Sequence, residues 1–379
     1  MRTLTRRRGL QAGLAAVSAV AAVALSVTGP GATAQAAQVR ALAPVRTTTL
    51  ATECTAAVAA AGPDGSVHAF AKCNAGLLHL TRVGSSWTRT TLPGTLPRAR
   101  ALAVADDGVA TYLLADQVPI RGDGRATVVA RIDRRGKVTK QWTLSTTGWS
   151  SSGAITARKG AWWVVWSERV PGVRSPRLFH AETGGGGDGR PAALFNHGEN
   201  MTFAWNGTTL EAAWTSGGRY TDITVGYFKG RRWETASMAG TDDGAGSDPS
   251  ITTTRQKTVI AFQRPGSRRS EDILLATRVH RRGARYIVQR IDNVTRPTDL
   301  HLTSRGERLA LAWTDDPATN GFGTAAVRVG NGSTWAVRRL GAGSRVVGAV
   351  WPGPKLVVLR IVQAKGQYGP TTNLVADQF

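Results

Sequence analysis

One pattern recurs along the chain at a nearly constant interval: a short apolar strand that ends in an aromatic residue. Leu210-Glu211-Ala212-Ala213-Trp214 matches Thr258-Val259-Ile260-Ala261-Phe262 and Leu309-Ala310-Leu311-Ala312-Trp313. Trp163-Val164-Val165-Trp166 and Val67-His68-Ala69-Phe70 follow it more loosely. The closing aromatics Trp166, Trp214, Phe262 and Trp313 are 48, 48 and 51 residues apart. A second signature keeps the same beat. Gly84-Ser85-Ser86-Trp87, Gly230-Arg231-Arg232-Trp233, Gly283-Ala284-Arg285-Tyr286 and Gly332-Ser333-Thr334-Trp335 each open a short strand. The glycine supplies a tight turn and the aromatic starts the strand after it.

Between these marks each unit reads as four strands with no helical period. The clearest has strands over 250–254, 258–263, 273–279 and 286–291. Four-stranded units of about 40–50 residues are the sequence mark of a β-propeller. Inner strands are expected to begin near Thr55, Ala99, Ala154, Met201, Ser250, Asp299 and Val346. The fold class is therefore all-β, a seven-bladed β-propeller of four-stranded blades, with six blades as the alternative. The final unit lacks its fourth strand, and Val45-Arg46-Thr47-Thr48-Thr49-Leu50 resembles Trp87-Thr88-Arg89-Thr90-Thr91-Leu92. The N-terminal strand is thus expected to close the last blade, which joins the ends of the ring and removes an open edge.

A chain of 379 residues would ordinarily divide into two or three domains. The repeat replaces them with one ring over 45–379, preceded by a linker over 37–44. Hydrophobic residues make up 41% and charged residues 19%, which excludes a disordered chain. The first 36 residues read as a signal peptide. Arg2, Arg6, Arg7 and Arg8 precede an apolar run from Leu14 to Val27, then Gly29-Pro30-Gly31 and the small-residue sites Ala32-Thr33-Ala34 and Ala34-Gln35-Ala36. Thr5-Arg6-Arg7-Arg8-Gly9-Leu10 resembles a twin-arginine signal, and an ordinary Sec signal fits as well. The expectation is a bacterial, extracellular protein with no membrane span after processing. Loss of the four arginines lowers the net charge from +23 to about +19. Export permits a disulfide. Cys54 and Cys73 are the two cysteines, and the repeat puts them at facing ends of paired strands.

Propeller connectivity sorts the loops onto two faces. Loops joining second to third strands, and fourth strands to the next unit, define the top. They carry Glu168, Arg219, Tyr220, Asp222, Arg264, Asp315 and Asp316, expected to bind a polar ligand. The inter-unit loops add Arg100, Asp242, Asp243, Asp248, Asp299 and Arg345. The opposite face carries a basic rim with Arg134, Arg135, Arg231, Arg232, Arg281 and Arg282, suited to an acidic polymer. Nucleic acid is not the expected partner, because no nucleic-acid fold motif accompanies the charge.

Catalytic signatures are missing. The six histidines show no metal-ligand spacing, and no G-x-S-x-G elbow occurs. Asp242-Asp243 with Asp248, or Asp315-Asp316, could gather calcium but lack the spacing of a calcium loop. No cofactor is expected. Asp248-Pro249-Ser250-Ile251 followed by Val259-Ile260-Ala261-Phe262, and Gly330-Asn331-Gly332-Ser333-Thr334-Trp335, resemble secreted sialidase-like and lectin-type β-propellers with Asp boxes. Arg328 and Gly330 stand where the box has Ser and Asp, so the resemblance carries the fold and no catalytic residue. Export, the repeat, the charge-sorted faces and the lack of a catalytic motif together lead to the expectation of a non-catalytic, lectin-like propeller for a carbohydrate or cell-envelope ligand, suited to be the targeting subunit of an extracellular complex. A sialidase-like glycoside hydrolase and a protein-interaction scaffold are the alternatives.

Overall fold

The structure is a computed structural model. It describes residues 46–379 except short segments at 94–95, 97–98, 118–125, 147–148, 170–171, 173–175, 185–186, 196–197, 217–221, 230–231, 238–245, 266–269, 282, 319, 333 and 367–368. The expected signal peptide and linker lie outside the described residues. Among those residues no helix is long and apolar enough to cross a membrane.

The described chain is built of β-strands. Strand β1 is Arg46–Thr52. The first sheet holds β2 (Cys54–Ala61), β3 (Val67–Cys73), β4 (Gly76–Val83) and β5 (Ser86–Thr91). The second holds β6 (Arg100–Asp106), β7 (Thr111–Gln117), β8 (Ala126–Ile132) and β9 (Val138–Ser145). The third holds β10 (Trp149–Arg158), β11 (Ala161–Arg169), β12 (Arg177–Glu182) and β13 (Ala192–Phe195). The fourth holds β14 (Glu199–Asn206), β15 (Thr209–Ser216), β16 (Asp222–Lys229) and β17 (Arg232–Ser237). The fifth holds β18 (Ser247–Thr253), β19 (Lys257–Pro265), β20 (Glu271–Val279) and β21 (Ile287–Val294). The remaining strands are β22 (Thr298–Arg305), β23 (Arg308–Asp315), β24 (Gly323–Gly330), β25 (Trp335–Val350), β26 (Val357–Gly366) and β27 (Gly369–Gln378). With β1 they form a sixth, seven-stranded sheet in the order β1-β27-β26-β25-β24-β23-β22.

The expectation of seven separate four-stranded blades is corrected by this count. Among the described residues six sheets form, which fits the six-bladed alternative with a closing strand added. The reason lies in β25, which runs unbroken for 16 residues. Its first part pairs with β24, from Gly330↔Trp335 to Ala326↔Arg339. Its second part pairs with β26, from Ser344↔Val362 to Val350↔Val357. Gly341 and Gly343 take positive φ of 121° and 64° inside this strand, so the backbone bends there without leaving the ladder. The apolar run from Leu356 to Val362 becomes a central strand of this sheet. The N-terminal strand does close it: β1 pairs antiparallel with β27, from Arg46↔Gln378 to Thr52↔Asn373.

The first strands of successive sheets stand side by side, and the second part of β25 returns to β2. Apolar clusters fill the seams between sheets. The aromatic beat of the sequence is the core of these seams: Trp166, Trp214, Phe262 and Trp313 are all buried. Each contributes a large apolar area to burial, and truncating one to Ala would cost about 3–5 kcal/mol. Cys54 and Cys73 pair across β2 and β3 and form the disulfide.

Candidate functional site

The inner strands share a local irregularity. Register shifts occur near the start of β2, β6, β10, β14, β18 and β22 and within β25, between Cys54/Ala56, Ala101/Ala103, Ser150/Ser152, Glu199/Thr202, Ser247/Ser250, Thr298/His301 and Val346/Gly348. Such bulges re-aim side chains at a sheet end. Three of them hold non-glycine residues in the left-handed region: Asn200 (φ 52°), Asp248 (φ 49°) and Asp299 (φ 55°). Asn and Asp bear this conformation at least cost among side chains with a Cβ, yet it remains a strain.

These three residues line one cavity of about 490 Å³ at the end of the inner strands, together with Arg100, His301 and Arg345. Gly153, Met201 and His301 also line an adjoining space of about 280 Å³ deeper among the same strands. A Cβ on Gly153 would come 2.5 Å from Leu114 Cδ2 and 3.2 Å from the Val165 carbonyl, so a larger residue would have to displace Leu114.

The cavity mouth is a matched set of charges. Arg345 holds Asp299 with Nη2 3.1 Å from Oδ1 and Nε 3.2 Å from Oδ2. Arg100 Nη2 donates to the Ser150 carbonyl and lies 3.5 Å from Asp116 Oδ2. Asp248 accepts from the Asn200 and Gln263 side-chain amides. Burial, with Asp299, Glu271 and Glu199 nearby, pushes the Asp248 carboxyl up to about 6. Burial lowers His301, outweighing the pull of Asp299, so its imidazole stays neutral near pH 7. Gln263 Oε1 is buried and has no hydrogen-bond partner.

The described members of the top-face set expected from the sequence are not among the residues that line this cavity. Glu168 is buried at the end of β11 and accepts from Trp166 Nε1 at 3.0 Å and Ser145 Oγ at 2.6 Å. Asp222 caps its own strand, with Oδ1 2.8 Å from the Ile223 amide. Arg264 lies 3.9 Å from Asp272. Asp315 accepts from the Thr295 amide at 3.1 Å and from Arg339 Nη1 at 3.3 Å. Asp316 is exposed in a turn, with φ 49°. Arg219 and Tyr220 lie outside the described residues.

The basic rim divides as well. Arg134 is exposed as a residue, but its guanidinium is bonded to Asp106, Asp64 and His68. Arg135 and Arg281 are exposed. Arg232 is in β17, and Arg231 and Arg282 lie outside the described residues.

A Ser–His–Asp group on the lower face merits a test as catalytic machinery. Ser66 Oγ lies 2.9 Å from His68 Nε2, which is 3.4 Å from Asp106 Oδ2. Arg134 Nη1 donates to that same Nε2 at 2.8 Å, so Nε2 is occupied as an acceptor. Ser66 gives its proton to Asp64 Oδ1 at 2.6 Å. Burial holds His68 low and His79 at about 3. The group therefore joins two sheets and lacks a free base. Among the described residues no set of three or more His, Cys, Asp or Glu side chains is placed to hold a metal.

Sequence reasoning named Asp248, Asp299, Arg100 and Arg345 among many loop charges and missed Asn200 and His301. The available signal was the repeat itself: Asn200, Asp248 and Asp299 are 48 and 51 residues apart.

Comparison with protein families gives no match, and comparison with curated proteins gives none either. Solved structures do match in fold. One, described as YCF48 bound to D1 peptide, is 13% identical with a TM-score of 0.52, covering 89% of this chain and 96% of that one. AofleA from Arthrobotrys oligospora is 10% identical with a TM-score of 0.49, covering 80% of this chain and 93% of that one. At these identities the likeness concerns the fold.

Proposed function

We propose that this chain is an exported, non-catalytic binding propeller, with its ligand seated at the mouth of the central cavity. The expected signal peptide over 1–36 underlies the export part. The observation that carries the rest is the concentration of three left-handed, non-glycine residues around one 490 Å³ cavity. Strain of this kind persists where a site needs particular side chains at particular positions.

The ligand class follows from the charges. Asp299 is neutralised by Arg345, and Arg100 is beside Asp116. The mouth thus offers donors and acceptors in alternation without a strong net charge, which suits a hydroxyl-rich carbohydrate of the cell envelope. Both oxygens of Asp248 accept amides, and Asp299 is held in a guanidinium fork. Carboxylates engaged in this way position donors around a ligand rather than transfer protons to it.

A peptide is the second reading. It is favoured by the fold similarity to the structure described as YCF48 bound to D1 peptide. The test is titration calorimetry of the exported protein with neutral cell-wall oligosaccharides, acidic ones and short peptides. Binding of a neutral oligosaccharide that survives 0.5 M salt supports the reading. Peptide binding alone favours the second, and steady hydrolysis of a glycoside refutes the non-catalytic claim.

A further inference from the structure

The seam between the closing strand and the first sheet contains a cavity of about 330 Å³. That volume lies at the lower end of small-ligand pockets, roughly 300–1,000 Å³. Three arginines line it: Arg46 on β1, Arg82 on β4 and Arg89 on β5. Trp87 forms part of the wall, with Thr48 and Gln378 as polar neighbours. No Asp or Glu is among the described residues that line it.

Arg82 is the unusual member. The residue as a whole is only 7% exposed, and among the described residues its side chain has no hydrogen-bond or ion-pair partner. A buried cation is normally paired, because its desolvation is otherwise uncompensated. Burial pulls the guanidinium down from its ordinary value, although arginine remains a cation at neutral pH.

Other seams show an arginine paired with a carboxylate of the neighbouring sheet. Arg278, on the third strand of the fifth sheet, reaches Glu211 on the second strand of the fourth, with Nη2 2.8 Å from Oε1. Arg328, on β24, reaches Asp292 on β21 at 2.7 Å. Arg82 is likewise on the third strand of its sheet. The second strand of the neighbouring sheet contributes Val357 to the cavity, and no acid. The counter-ion supplied from within the chain elsewhere is missing here.

We propose that this seam binds the acidic group of an anionic sugar, with Arg82, Arg46 and Arg89 taking its carboxylate or sulfate and Trp87 lying beside the ring. Guanidinium forks match the geometry of such oxyanions. Trp87 and the hydroxyl and amide groups favour a sugar over a bare ion. The site is separate from the central cavity, and neither Arg135 nor Arg281 of the exposed lower rim lines it.

The test is titration of the exported protein with oligogalacturonate, a sulfated galactan oligosaccharide, maltotriose and inorganic phosphate, at 0.3 M salt. The two sugar arms distinguish carboxylate from sulfate. One or both are expected to bind, with maltotriose and phosphate at least tenfold weaker. Arg82→Gln and Arg46→Gln should each weaken binding tenfold or more. Arg135→Gln, Arg281→Gln and Asp248→Asn should change it less than twofold. Failure of the central-cavity reading would leave these results intact. Arg82→Met separates a ligand role from a structural one: the melting temperature should stay level or rise while binding is lost. No binding of either acidic sugar, equal loss in the rim variants, binding of phosphate as tight as the sugar, or a sharp drop in melting temperature for Arg82→Met would each overturn the proposal.

Discussion

Arg360 and Asp377 meet inside the last sheet, with Nε 2.5 Å from Oδ2 and both residues buried. Arg360 Nη1 also donates to Ser344 Oγ at 2.7 Å, and Thr47 Oγ1 donates to Asp377 Oδ1 at 2.5 Å. The pair therefore links β25, β26 and β27 to the closing strand β1. Asp377→Ala would leave the guanidinium buried and alone. A loss of about 3–5 kcal/mol in urea unfolding is expected, whereas an exposed ion pair such as Lys229–Glu234 should cost under about 1 kcal/mol.

The disulfide acts on the unfolded chain. Cys54 and Cys73 close a separation of 19 residues, and loops near that length contribute about 3 kcal/mol. The Cys54→Ala, Cys73→Ala double variant should lose that amount in non-reducing urea titrations. An unchanged midpoint would show that the paired strands already hold this corner closed.

Two buried groups give stability opposite dependences on pH. Folding raises the Asp248 carboxyl to about 6 from 3.8, so the folded chain keeps a proton that the unfolded chain has lost. The resulting penalty is absent below about pH 4 and complete above about pH 6, at up to about 3 kcal/mol. Asp248→Asn should raise the melting temperature at pH 8, with the gain vanishing near pH 4. A lower melting temperature at pH 8 would show that the carboxylate is needed by its amide partners.

His79 has the reverse sign. Its folded value of about 3 lies below the ordinary 6.5, so the unfolded chain protonates first on acidification. Its contribution is complete above about pH 6.5 and is lost as pH falls towards 3. The ring stacks on Phe70 at 4.4 Å between centroids, so a phenylalanine can keep that stacking while giving up the Nε2 contacts to His68 and Thr81. His79→Phe should flatten the acid limb of the melting-temperature profile between pH 6.5 and 4.

Much of this architecture was legible in the sequence. The aromatic at each strand end is buried because the same seam recurs at each repeat, so its period reports packing directly. The pairing of Cys54 with Cys73 and the return of 46–52 to the C-terminal strand were readable for the same reason. The merging of two units through β25 was not. It depends on whether Gly341 and Gly343 break the ladder or bend it, and both outcomes satisfy the same residues. The cavity mouth was legible only as loop charge. Its members are selected by bulges and left-handed backbone at strand starts, features that alternation of apolar and polar residues does not encode. Arg82 shows the same limit: only the seam shows that the cavity it lines is shared with Val357 of the neighbouring sheet rather than with an acid.

The central claim is a ligand at the cavity mouth, and Arg345 tests it most directly. Wild type and Arg345→Gln should be titrated with the tightest neutral oligosaccharide of the panel at 0.5 M salt. Losing the guanidinium releases Asp299 and spoils the mouth, so affinity should fall at least tenfold while the melting temperature changes by only a few degrees. Unchanged affinity in a folded variant would place the ligand elsewhere on the ring and contradict the account.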